Sequence, residues 1–519
     1  MIRSILTVAS GTLASRLLGF ARDAMVAALL GAGPVADAFL VAFQLVNVIR
    51  RLLTEGALNA ALIPAWLHIR SVDGAAAAAA FAGRILGTIS LALVVITAVI
   101  GIAMPAVIAL LAPGFIGQPT LQLAVDDARL MLPYLAFAGP VTVMMGLLNA
   151  QQRFALTAFS PLLFNIALIA VMAALLAWRQ DAATAALLMA ATVGIAGFLQ
   201  LSMLILRRGD NVATPLRVSL DAEMRGFFRK AIPGMVANSG PQLIMVVGAI
   251  VASGMPSVVS WLYFANRLIE LPLGIVGTAM GTVLVPELTY AVRSGDPVRT
   301  KHAESRGFEL AIGLGLPATL GLMALSHPIV QLLFEHGAFD AADTAATAQA
   351  LTWLALGLPA HIVVKALAPA FFARGDTMMP LRATLAGLAV AIVAAWLLGQ
   401  TIGAGGIAAA IALAAWTNAA VLIAASVAAF GFTFDAAARR RLPRIVLAAL
   451  VMGAGLWLAT QTAAPLAGGA HGAVRAAILG GLIAAGLALY GLFLMLLGVV
   501  NRGEIARATG QFRSRGLRG

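Results

Sequence analysis

The chain has 519 residues, of which 61% are apolar and 11% charged, with a formal net charge of +13. Ordinary soluble domains are about a quarter charged. This much hydrocarbon excludes a soluble enzyme, a secreted domain and a disordered chain, and leaves an all-α polytopic membrane protein. The question is then where its 34 Lys and Arg sit. There is no cysteine, hence no disulfide framework, thiolate nucleophile or Cys-ligated metal. The six histidines show no ligand spacing, and no metal or other cofactor is expected.

A span needs about 20 mostly apolar residues. Turn and charge punctuation predicts about fourteen: 4–30, 35–69, 80–112, 127–152, 158–178, 183–206, 227–252, 257–291, 307–326, 345–373, 380–399, 404–430, 445–463 and 473–500. The first begins close to Met1, but Arg16, Arg22 and Asp23 interrupt its apolar run. It reads as a retained transmembrane helix and not as a cleaved signal. The second is longer than a straight span requires.

With the N-terminus inside, alternation puts 25 of the 34 cations on the inner side and three, Arg129, Arg179 and Arg475, on the outer. The longest outer loop carries Glu335, Asp340 and Asp343 and no Lys or Arg. This positive-inside bias predicts that both termini are cytoplasmic. It also accounts for most of the basic surplus, so no nucleic-acid partner is expected. Residues 501–519 form a basic cytoplasmic tail that suits contact with anionic membrane lipids.

Two stretches echo each other about 220 residues apart. Ile63–Ser71, beginning Ile-Pro-Ala, resembles Val285–Ser294, beginning Val-Pro-Glu. Tyr134–Pro140 with Pro161 resembles Trp353–Pro359 with Pro380. The order and offset predict two six-helix lobes, 1–215 and 222–435, in a parallel repeat, followed by two additional helices in 440–500. Paired repeats of this kind are a transporter architecture, with substrate between the lobes.

Six cations fall inside predicted spans: Arg16, Arg22, Arg50, Arg51, Arg267 and Lys365. Asp23, Asp37, Glu55, Glu270 and Glu287 accompany them. On an insertion scale these eleven groups facing lipid would cost roughly 30 kcal/mol, more than a typical net stability. They must line water or pair. Arg267 and Glu270 are i,i+3, Arg51 and Glu55 i,i+4, and Arg16 and Asp23 seven apart, so each pair shares a helix face. Arg51 points about 100° away from Arg50. Arginine keeps its charge when partly desolvated and binds phosphate bidentately, so an arginine-rich cavity suits an anionic substrate.

Ser15-Arg16-Leu17-Leu18-Gly19-Phe20-Ala21-Arg22-Asp23, with Ala36-Asp37-Ala38-Phe39, Asn47, Arg50-Arg51 and Glu55-Gly56-Ala57, resembles the opening of the MurJ/MviN lipid II flippases. Trp261-Leu262-Tyr263, Arg267–Pro272 and Lys365–Pro369 are similar to later parts of that family. The resemblance implies a non-enzymatic flippase of the multidrug/oligosaccharidyl-lipid/polysaccharide exporter superfamily in the bacterial inner membrane. It would move lipid II, an undecaprenyl diphosphate-linked disaccharide-pentapeptide, to the outer leaflet as a monomer. By resemblance Arg16, Arg22, Arg50 and Arg267 bind substrate. Asp23, Asp37, Glu55 and Glu270 are their charge partners, and Arg51 and Lys365 are further candidates. The two last helices would hold the polyprenyl tail. Gln44 and Asn266 stand where some members carry Lys and Asp. Coupling to the membrane potential or to a cation is expected. The rival readings are a flippase for another lipid-linked oligosaccharide, a multidrug/cation antiporter on the same fold, and a membrane enzyme using His327, Glu335, His336, Asp340 and Asp343 of the outer loop.

Overall fold

The computed structural model describes residues 2–54, 57–206, 216–229, 240–468 and 472–500; among them there are helices, turns and short connections but no strand. Helix α1 (Ile2–Leu30) fills the first predicted span. It stops at Gly31, whose φ of +65° is the left-handed conformation that glycine adopts without a Cβ penalty. Helix α2 (Pro34–Thr54) starts on a proline, where the missing N–H would have had no helical partner. Helix α3 (Ala57–Val72) follows, so the long second span is two helices; Glu55, between them, lies outside the described residues.

The third span is α4 (Gly74–Ile102) and α5 (Met104–Leu111). The fourth is α6 (Pro119–Met131) and α7 (Pro133–Ala150), both opened by proline. Then come α8 (Phe154–Trp178), α9 (Ala182–Leu206), a short α10 (222–229) and α11 (Gly240–Ala252). The eighth span is α12 (Val258–Ala279), a π turn at Met280–Leu284 and α13 (Val285–Arg293). The echoed stretches at Ile63 and Val285 therefore both lie in a short helix that follows a longer one.

Helix α14 (Pro297–Ala324) is capped by Asp296, whose carboxylate accepts from the backbone N–H of Val298 (2.9 Å) and Arg299 (3.1 Å). The remainder is α15 (Ser326–Phe334), α16 (Ala341–Ala355), α17 (Leu358–Ala373), α18 (Met378–Ile402), α19 (Ala404–Phe430), α20 (Ala436–Gly468) and α21 (Gly472–Leu496).

Among the described residues, ten helical segments are long and apolar enough to cross a bilayer. They are the third to sixth and ninth to fourteenth of the expected spans. The first, second and eighth carry all of the intramembrane charges named above but Lys365, which lowers their hydropathy, and the seventh is only partly described. The chain is a multi-pass, all-helical membrane protein, and fourteen stands as an approximate count.

The chain divides into two compact units interleaved along the sequence. The first comprises Met1–Phe264, Leu333–Thr344 and Ala391–Ile407. Here α1 packs on α8, α2 on α6 and α7, and α4 on α3 and α7. Leu62, Trp66, Phe81, Ile85, Leu147, Met224 and Phe227 form one buried cluster, which ties α10 to α3, α4 and α7. The turn at Gly337 lies directly on the end of α1: Ala338 N–H donates to the Ala28 carbonyl (2.9 Å). A Cβ at Gly337, itself at φ +62°, would collide with that carbonyl. The second unit comprises Ala265–Leu332, Ala345–Val390 and Ala408–Gly519. In it α14 packs on α17 and α20, and α20 on α21. Tyr490 of α21 donates to the Gly313 carbonyl of α14 at 2.8 Å.

Candidate functional site

The site is built from α1 outward. Arg22 is 8% exposed and Asp23 1%. A charged side chain at that depth needs partners, and Arg22 finds them on three helices. Its Nε and Nη2 donate to Asp23 Oδ1 at 2.9 and 2.6 Å. Its Nη1 donates to Asn165 Oδ1 of α8 at 3.1 Å. The guanidinium lies 5.2 Å from the ring centroid of Phe43 on α2 and 5.7 Å from that of Phe164 on α8, close enough for cation–π attraction. The Tyr263 hydroxyl, at the start of α12, donates to Asp23 Oδ1 at 3.4 Å. Arg22, Asp23, Phe39, Leu40, Phe43 and Tyr263 line a narrow pocket in this unit.

The expected Arg16–Asp23 partnership is not what forms. Neighbours at i,i+1 do not normally face each other on a helix. Arg22 has a side chain long enough to curl onto Asp23, and the rings of Phe43 and Phe164 hold it there. Arg16 is half-buried and has no hydrogen-bond or ion-pair partner among the described residues.

Arg50, also half-buried, directs Nε and Nη2 at Asn47 Oδ1, both at 3.3 Å. Buried Tyr134 packs edge-on against Phe164, the ring that lies 5.7 Å from the Arg22 guanidinium. Arg51 is half-buried on the same helix; its expected partner Glu55 lies outside the described residues.

Asp37, expected as a charge partner of the arginines, has another task. It is 2% exposed and caps α12 from α2. Its Oδ2 accepts from Ser257 N–H at 2.8 Å. Its Oδ1 accepts from the Ser260 N–H at 2.9 Å and hydroxyl at 2.5 Å. The first turn of a helix has unsatisfied N–H groups, and Ser257, at φ +66°, presents them to this carboxylate.

In the second unit the i,i+3 expectation holds: Arg267 Nη1 and Glu270 Oε2 are 2.8 Å apart. Asn266 lies 3.5 Å from Glu270 Oε1, so an amide here joins the pair where a carboxylate would have repelled it. Lys365 of α17 is exposed and runs past Gly277 of α12, where a Cβ would come within 3.0 Å of its Nζ. His361 stands one turn before Lys365. Two residues of the predicted outer loop have structural partners: Trp261 Nε1 donates to Asp343 Oδ1 at 3.0 Å, and Asp340 Oδ1 accepts from Asp343 N–H at 2.8 Å.

Asn165, Phe43 and Phe164 were not legible as site residues. Asn165 had a signal: it is the one amide in a helix that carries no charge and whose only other polar side chains are Thr157 and Ser160 near its start, and a polar group at membrane depth invites the search for a partner.

A family model described as lipid II flippase MurJ matches residues 26–471. A relative from Rhizobium meliloti, named probable lipid II flippase MurJ, is 37% identical over 497 residues, 94% of this chain and 92% of its own. One from Burkholderia cenocepacia, named lipid II flippase MurJ, is 32% identical over 431 residues, 81% of this chain and 83% of its own. The fold is similar to that of a lipid II flippase MurJ in an inward closed conformation. There the TM-score is 0.75 at 21% identity, over 94% of this chain and 98% of that one. It is also similar to an inward-facing multidrug resistance MATE family transporter of the MOP superfamily. Here the TM-score is 0.66 at 16% identity, over 83% and 95% of the two chains. With a family model spanning most of the sequence and relatives above 30% identity over most of their length, the chain belongs to the MurJ family of lipid II flippases.

Proposed function

We propose that this protein flips lipid II from the inner to the outer leaflet of the bacterial cytoplasmic membrane by alternating access. It acts as a monomer, without a cofactor and without catalysing a reaction, and both its termini are cytoplasmic. Arg16, Arg22, Arg50 and Arg267 contact the diphosphate, the part of the substrate that hydrocarbon rejects, while the polyprenyl tail stays in the membrane. Lys365 and Arg51 are further candidates for that contact.

The observation that carries this reading is the state of Arg22. A guanidinium buried among aromatic rings and held at its edges is oriented before any anion arrives, which reduces the reorganisation that binding requires. The fixed cations lower the barrier for an anion but cannot drive net flux. An inside-negative potential can, because outward movement of negative charge gains about 2.3 kcal/mol per charge per 100 mV.

The direct test is rescue of a bacterium depleted of its own lipid II flippase, together with flipping of purified lipid II in vesicles. Rescue by the natural chain and loss of it in Arg22→Ala support the reading. Flipping of an unrelated lipid-linked oligosaccharide with no flipping of lipid II would sink it.

A further inference from the structure

Arg22 carries five N–H donors, and three are engaged: Nε–H and one on Nη2 by Asp23, and one on Nη1 by Asn165. Among the described residues no partner takes the second N–H of Nη1 or of Nη2, and an end-on bidentate phosphate contact uses one N–H from each terminal nitrogen. Asn165 is itself fixed. Its Nδ2 donates to the Ser15 carbonyl at 3.2 Å, seven residues before Arg22 on α1. The flipped amide would set a donor against the guanidinium and an oxygen against that carbonyl. Oδ1 must therefore face Arg22. Phe164, the preceding residue of α8, lies along the same guanidinium.

We propose that Asn165 is a positioning residue that orients Arg22 so that its two remaining N–H groups are presented together to one phosphate. The proposal rests on the reading of Arg22 as a diphosphate contact. Asn165 need not touch the lipid: it restricts rotation of the guanidinium, beside which the rings of Phe43 and Phe164 lie at 5.2 and 5.7 Å.

The test is calorimetric binding of inorganic diphosphate to the purified full chain, with thermal midpoints measured on the same samples. Arg22→Ala should weaken binding about tenfold or more, and Asn165→Leu and Asn165→Ser each about three- to tenfold. In the Arg22→Ala background the same changes at Asn165 should add less than about twofold, because the residue acts through Arg22. A full additional loss in that background would overturn the proposal. So would unchanged binding in both Asn165 variants while Arg22→Ala still weakens it; in that case the reading of Arg22 survives. Unchanged binding in Arg22→Ala overturns both. Asn165→Ser is the smaller, polar variant, and a binding loss confined to whichever Asn165 variant melts early also counts against the proposal.

Discussion

Arg16 and Arg22 are six residues apart on one helix, yet they are expected to respond differently to the same substitution. Arg16 has no protein partner among the described residues. Arg16→Ala should leave the thermal midpoint nearly unchanged, within about 0.5 kcal/mol, while rescue of a flippase-depleted strain fails. Arg22→Ala removes a partner from a carboxylate that is 1% exposed. Breaking a buried pair from one side costs on the order of 3 kcal/mol, so this variant should lose both stability and rescue. Arg22→Lys keeps the charge but replaces the planar fork by a point charge. One ammonium cannot serve Asp23, Asn165 and a phosphate with the same geometry, and only partial rescue is expected. Thermal melting separates the first two outcomes, and a dose-dependent growth assay separates the third from both.

At the scale of elements, two attachments in the first unit are open to test. Asp37 satisfies the first turn of α12 from α2, with three hydrogen bonds to Ser257 and Ser260. Asp37→Ala should cost about 1–3 kcal/mol and raise hydrogen exchange at Ser260 and Trp261. The segment 216–229 is held on α4 by hydrogen bonds of Ser219 with Thr88 and of Arg217 with Gly83, and in two further ways. Arg84 meets Asp221 at 2.8 Å and Glu223 at 2.7 Å, and Phe227 packs edge-on against Phe81. Exposed ion pairs are worth about 0–1 kcal/mol each, whereas truncating a buried Phe costs about 3–5 kcal/mol. Phe227→Ala should therefore expose 216–229 to limited proteolysis more than Arg84→Ala does. Asp221 is held below the usual carboxylate range, first by Met224 N–H, then by the Ser219 hydroxyl and Arg84. Its contribution is present above its unfolded value, about 3.9, and is lost as pH falls through the lower folded value. Acid should loosen the segment, and Asp221→Asn should remove that part of the pH dependence.

At the scale of the whole molecule the tests concern sidedness and drive. The natural chain has no cysteine, so single-cysteine variants report cleanly. Ala341 and Ala437 are both exposed, one after the acidic loop and the other beside the basic start of α20. Ala341→Cys should react with an impermeant thiol reagent from outside, and Ala437→Cys only after the membrane is opened. Equal labelling of both in intact cells would reverse the assigned orientation. Collapse of the membrane potential should slow flipping in vesicles; an unchanged rate would exclude the potential as the drive.

The amino-acid sequence by itself determined the class, the approximate number of spans, the family and the list of charges at membrane depth. Each is either a local sum along the chain or a local motif: hydropathy over about 20 residues, the sign of a loop, the Ser15–Asp23 run. The Arg267–Glu270 pair was legible for the same reason, since helical spacing alone brings i and i+3 together. What only the tertiary structure decided is which groups meet. Arg22 turned to its neighbour Asp23 and to Asn165, 143 residues away, and Asp37 went to a helix start 220 residues on. Burial forbids leaving any of these groups unmatched. Which partner satisfies each one depends on how α1, α2, α8 and the start of α12 pack, and no spacing along the chain carries that information.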